Sequence, residues 1–187
     1  MDIERTWPRI TLPLAVAVAM TAPVAHARGG WPLALTWLQL AAYAVHQYEE
    51  HGRGAFKAYA NRLYGDGREV LGDRAICVIN TAGVWGIDSL AFAAACLWGP
   101  GAGVTAVYLS LVNAVSHIAG AVRTREYNPG LWTAMGVFVP LGGYTLAELG
   151  SLGFVSPFQH AFGALVSIAI HAGIVAHVMR NRAAHTG

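Results

Sequence analysis

Residues 31–51 read WPLALTWLQLAAYAVHQYEEH. The stretch is apolar for most of its length and closes on a histidine, two adjacent glutamates and a second histidine. A bilayer core of roughly 30 Å needs about 20 helical residues to cross it. Residues 31–50 therefore read as a membrane-crossing helix with its polar groups collected at one end.

Working outward, five further stretches approach the same length: 9–26, 75–98, 101–122, 131–149 and 156–179. Gly29-Gly30, Gly99-Pro100-Gly101, Pro129-Gly130 and the segment from Gly150 to Pro157 punctuate them. Composition agrees. Only 12% of residues are charged and 55% are hydrophobic, whereas a soluble domain carries about a quarter charged residues. The expected fold class is all-α: a polytopic transmembrane helical bundle of about six spans, with short connections between antiparallel neighbours. Pro140 is expected to kink the fifth span. Net charge is +2 and no basic run interleaves with aromatics, so nucleic acid is not an expected partner. Cys77 and Cys96 share one span, about 28 Å apart along it, and do not pair.

Three regions follow: 1–30, a membrane domain over 31–180, and a polar tail over 181–187. Residues 1–30 admit two readings. Arg5 and Arg9 precede an apolar stretch from Ile10 to Met20, and Ala25-His26-Ala27 has the small-x-small form of a signal cleavage site. The alternative is a retained helix added to a five-span core. In either case residues 31–50 start outside.

With six spans, one side of the membrane receives Arg5, Arg9, Arg53, Lys57, Arg62, Arg68, Arg74, Arg123, Arg125, Arg180 and Arg182, and the other receives Arg28 alone. The positive-inside rule makes the basic side cytoplasmic, as in an inner or plasma membrane, with both termini there if the first helix is retained. In the basic loop, Phe56, Tyr59, Ala60 and Leu63 recur at i, i+3, i+4 and i+7. That spacing predicts a short amphipathic helix in the headgroup region.

The polar residues inside the spans carry the chemistry. His46 and Glu50 are four apart, on one helix face, with Glu49 about 100° away. Carboxylates at membrane depth are costly and usually mark function. At ~1.5 Å per residue, His46 and His117 lie about 9 Å before the basic ends of their helices, and His171 about 13 Å. Asn80 and Asn113 fall at similar depth. One layer is thus expected to hold His46, Glu49, Glu50, Asn80, Asn113, His117 and His171, drawn from four helices. Imidazole and carboxylate together suit zinc or non-haem iron, with His46, Glu50, His117 and His171 as candidate ligands. The string His46-x-x-Glu49-Glu50 is similar to inverted zinc-protease motifs of the H-x-x-E-H type, in which Glu49 would act as general base. Elsewhere, Asp88 reads as a helix–helix contact, His160 and Glu148 as an outer polar contact, His177 as an interface residue, and His26 and His185 as solvated ends.

Several motifs in order resemble the HXXEE-motif family of integral membrane proteins. They are His46-Gln47-Tyr48-Glu49-Glu50, Phe56, Asn61, Asn113-x-x-x-His117, Arg125-x-Tyr127-Asn128-Pro129-Gly130, Thr133 and Pro140. The resemblance runs over roughly 33–177. It implies functional positions at His46, Glu49, Glu50, Asn113, His117, Arg125, Tyr127 and Asn128, and no substrate. In the turn, Pro129-Gly130 suits a helix start with Asn128 as N-cap. Arg125 and Tyr127 are candidates for contacting a headgroup.

The leading functional expectation is a metal-dependent intramembrane enzyme acting on a hydrophobic small molecule or lipid drawn from the surrounding membrane lipids, by hydrolytic zinc or oxidative iron chemistry. Two alternatives stand beside it: a metal-free Glu/His acid–base isomerase or cyclase, and a proton- or ion-coupled transporter or assembly factor. The missing internal inverted repeat counts against transport.

Overall fold

The computed structural model describes residues 3–184, and these are helical almost throughout, with no strand among them. His185 and the end of the 181–187 tail lie outside the described residues. The stretch Thr11–His51 is two antiparallel arms, α1 (11–28) and α2 (31–51), broken where Gly29 (φ −146°) and Gly30 (φ 68°) leave helical geometry. A short helix, α3 (Ala55–Gly65), follows. Then come α4 (Asp73–Trp98), α5 (Pro100–Thr124), α6 (131–151) and α7 (Pro157–Ala184). Among the described residues four continuous helical stretches are long and apolar enough to cross a membrane; the first of them contains both α1 and α2. Leu90, Leu97, Val115 and Leu165 face outward and are strongly exposed. Such apolar coverage of a helical bundle suits lipid as the surrounding solvent.

The α1–α2 hairpin is pinned by one side chain. The Trp37 indole N–H is shared between the Val18 carbonyl (3.0 Å) and the Thr21 hydroxyl (2.8 Å). Val18, Leu40 and Ala41 pack beside it. The chain before α1 returns Trp7 to the far end of α2, where it meets His51 (ring centroids 5.2 Å apart) and Trp85 (6.0 Å). Residues 11–28 thus pack as a sixth rod.

Two helices are locally widened into π turns, Ile79–Trp85 in α4 and Ala134–Phe138 in α6. The second sits just before Pro140, which has no N–H to offer its own turn. The missing donor is absorbed by the widened ladder there. The first turns Asn80 inward: Gln47 Nε2 donates to Asn80 Oδ1 (3.0 Å), and Trp85 Nε1 donates to Gln47 Oε1 (2.6 Å). Phe138 is fully buried against Tyr43, inside a core cluster that includes Val84, Leu109 and Ala134. That cluster forms the floor of the polar layer.

At the basic end, ion pairs join segments distant in sequence: Arg5–Asp73 (2.9 Å), Lys57–Glu69 and Lys57–Asp73 (both 2.8 Å), and Arg62–Glu126 (2.7 Å). Asn61 Oδ1 accepts the backbone N–H groups of Val70 and Leu71 (both 2.9 Å), which holds the loop after α3 against it. α3 is helical over the predicted stripe, with Ala60 buried and the Phe56 ring against His51 (5.6 Å).

Two expectations are corrected. Asp88 makes no helix–helix hydrogen bond: it is 2% exposed and neither carboxylate oxygen has a partner among the described residues. His160 is paired with the Tyr108 hydroxyl (2.9 Å), not with Glu148. The hairpin makes a direct prediction. Trp37→Phe keeps the ring and removes the shared N–H, so it should cost about 1 kcal/mol, read as a lowered melting temperature of the protein in detergent; an unchanged melt would show that the hairpin does not depend on it.

Candidate metal centre

His46 and Glu50 lie one turn apart on α2, and His117 meets them from α5. His46 Nε2 is 3.4 Å from Glu50 Oε2, and His117 Nε2 is 3.1 Å from Glu50 Oε1. One ligand atom from each of the three residues lies within 4.8 Å of the others. Ligands around an ion at ~2.05 Å in a tetrahedron stand about 3.3 Å apart. The donor set therefore fits a first-row divalent ion with little movement. All three side chains are buried, where an anion needs a cation or several donors beside it.

The two imidazoles are already set in the tautomer that binds a metal. Asn128 Nδ2 donates to the His117 backbone carbonyl (2.9 Å), which fixes the amide and turns Oδ1 toward His117 Nδ1 at 2.6 Å. That contact requires a proton on Nδ1 and turns Nε2 toward Glu50 as the nitrogen available to a metal. His46 follows the same logic through Thr133. The Thr133 hydroxyl donates to Glu49 Oε2 (2.5 Å), so it accepts from His46 Nδ1 (2.7 Å). His46 Nε2 is likewise turned toward Glu50, with Asn113 Nδ2 3.4 Å away. Metal-bound histidines almost always carry such a partner on the other nitrogen.

Glu49 occupies a different place from Glu50. Its carboxylate accepts the backbone N–H groups of Trp132 (3.1 Å) and Thr133 (2.8 Å), the Thr133 hydroxyl and the Tyr127 hydroxyl (2.8 Å). These backbone groups are the unpaired donors at the start of α6, where a carboxylate is also favoured by the helix dipole. The N-cap expected of Asn128 is thus supplied by Glu49 from another helix, and Asn128 is used on His117 instead. Burial and the adjacent Glu49 carboxylate push the Tyr127 hydroxyl up to about 12, so it remains a donor at ordinary pH.

The turn before α6 passes directly over the triad. Gly130 has φ +101°, and a Cβ built there would lie 2.7 Å from Cε1 of both His46 and His117. Only glycine allows both that backbone and that approach. Beside the triad a cavity of about 470 Å³ opens, bounded by α2, α3, α4, α5 and α7. Glu50, His51, Asn113, His117 and His171 reach its wall among predominantly apolar and aromatic side chains. Concave, mostly apolar sites with a few convergent polar groups are the usual form of small-molecule pockets.

The structure thus brings together His46, Glu50 and His117, with Asn113 and Asn80 at their edge. His171 reaches the same cavity, but its Nδ1 donates to the Ser167 carbonyl (2.8 Å) and it stands outside the triad. Glu49, placed at the α6 cap, does not reach the cavity wall, nor does Tyr127, which stacks on Trp132 (6.2 Å). Arg125 is exposed at the end of α5 in the left-handed conformation (φ 56°), away from the cavity. Sequence reasoning missed the close approach of Gly130 and the inward place of His51, which is 7% exposed with Nε2 3.2 Å from Glu50 Oε2. The Pro129-Gly130 pair was a signal for a turn, not for what the turn touches.

No curated protein and no solved structure matches the chain. Residues 37–145 match the family model described as a protein of unknown function with HXXEE motif, and that span contains the triad, the Glu49 cap and the Asn128–Gly130 turn. On that match the chain belongs to the HXXEE-motif family.

Proposed function

We propose that this protein is a metal-dependent membrane enzyme acting on an apolar or lipid-like molecule held in the cavity beside His46, Glu50 and His117. The observation carrying this reading is the pair of imidazoles whose Nδ1 positions are both tied, to Thr133 and to Asn128, so that both Nε2 atoms converge on one carboxylate within the reach of a single ion. A two-histidine, one-carboxylate set with open positions suits catalytic zinc and non-haem iron. Bound there, zinc would supply Lewis acidity, and iron redox chemistry as well.

The chain's own residues divide the remaining work. Thr133 and Asn128 hold the imidazoles in orientation, and Glu49 holds Thr133. Phe138 packs on the His46 ring (4.5 Å) and keeps water from that side. Asn113 and His171 are positioned to hydrogen-bond a polar group of the substrate. The apolar wall selects the rest of the molecule. Eleven basic residues at the same end of the bundle support a site in the cytoplasmic half of an inner or plasma membrane, with both termini cytoplasmic.

Elemental analysis of the detergent-purified protein should find about one zinc or iron per chain, lost in His46→Ala and in His117→Ala while the fold persists by circular dichroism. Wild-type protein that stays metal-free after incubation with either ion would contradict the proposal and favour acid–base or proton-transport readings. Thr133→Val and Asn128→Leu leave the ligands in place and remove the orienting bonds. Each should weaken metal affinity about 10- to 100-fold, measured by competition with a chromogenic chelator; wild-type affinity in both would show that the imidazoles need no orienting partner.

A further inference from the structure

The exposed part of the cavity wall is carried by two helices. Its exposed lining residues are Ser116 and Arg123 on α5 and Val175 and Met179 on α7; those from α2, α3 and α4 are buried or half-buried. α5 and α7 are tightly apposed at their other ends. A Cβ on Gly163 would lie 2.9 Å from the Tyr108 ring and 3.3 Å from Val104, and Ser167 is fully buried one turn later. Small residues thus close the crossing of the two helices at that end, and toward the basic end a side window faces the surrounding lipid.

Arg123 stands at the rim of that window and is the one arginine or lysine in the cavity wall. Its guanidinium donates to the Tyr64 hydroxyl (3.1 Å) and lies 5.8 Å from the centre of the Tyr64 ring. No carboxylate among the described residues pairs with it; Arg5, Lys57, Arg62 and Arg182 at the same end have acidic partners, while Arg53, Arg74, Arg125 and Arg180 have none but lie outside the cavity wall. Tyr64 belongs to α3, the helix that roofs the cavity. The guanidinium is therefore held at the rim by an uncharged partner, with its charge uncompensated. Arg123 and His117 are six residues apart on one helix, or about 9 Å along its axis.

Building on the proposed function, we infer that the substrate is a single amphipathic lipid with an anionic headgroup. It reaches the cavity sideways between α5 and α7, rests its headgroup on Arg123, and presents to the triad a group several bonds below that headgroup. An uncharged lipid would leave the guanidinium unpaired, and a water-soluble anion would leave the apolar wall uncovered.

Fluorescent cis-parinaric acid and its uncharged methyl ester test this, titrated into the full chain in detergent with and without bound metal. The acid should bind at least tenfold more tightly than the ester. Arg123→Gln should remove that preference with little effect on ester binding or on metal content, and Arg123→Lys should restore most of it. Val175→Trp, which fills the window, should weaken both probes. Equal binding of acid and ester, or an acid preference that survives Arg123→Gln, overturns the headgroup assignment even if stoichiometric metal is present. Binding of both probes unaffected by Val175→Trp overturns the side window and indicates lipid held on the outer surface. An Arg123-dependent acid preference in protein that never takes up metal would uphold this inference while removing the metal-centre reading.

Discussion

A carboxylate from one helix caps the beginning of another, and the shape of the site follows from it. The first turn of α6 has backbone N–H groups with no partner in their own helix. Glu49 supplies that partner, taking the Trp132 and Thr133 N–H groups together with two hydroxyls. The cap draws residues 127–133 across the end of α2. Gly130 then comes to rest against two imidazoles, Thr133 reaches one of them, and Asn128 reaches the other. Two neighbouring glutamates, rotated about 100° from each other on α2, are thereby given separate duties. Glu49 builds the loop, and Glu50 faces the cavity.

The same arrangement accounts for the tolerance of so much polarity at depth. Each imidazole of the triad has one nitrogen satisfied by a hydroxyl or an amide, and the apolar ring of Phe138 fills the space behind His46. Among the described residues Glu50 pairs with three histidines and with no lysine or arginine. A divalent cation would bring positive charge to Glu50 and use both Nε2 atoms. Asp88 is a contrast. It is as buried, its carboxylate has no hydrogen-bond partner among the described residues, and it belongs to no gathering of ligands there.

Much of this was legible in the sequence because membrane helices are written in long apolar runs and broken by glycine and proline. Gly29-Gly30 and Gly99-Pro100-Gly101 mark turns that the structure places there, and α3 follows the stripe through Phe56, Tyr59 and Ala60. Depth counting brought His46, Glu50 and His117 to one level, since rise per residue is fixed by helix geometry. It also brought His171 to that level. Counting gives height and not rotation, and α7 turns His171 toward its own Ser167 carbonyl. The duties of Glu49 and Asn128 were hidden for a related reason. Local pattern suggests that Asn128 caps the helix that follows it, whereas the nearer donor in space belongs to a histidine eleven residues back, and the cap arrives from α2. The π turns at Ile79–Trp85 and Ala134–Phe138 have no sequence signature beyond Pro140 near the second.

The central claim is that His46, Glu50 and His117 surround one metal ion. X-ray absorption at the zinc and iron edges of the purified full-length protein tests it most directly. The account predicts a metal with two imidazole nitrogens and carboxylate oxygen at about 2.0–2.2 Å. A metal surrounded by oxygen or sulfur alone, with no imidazole scattering, would contradict it.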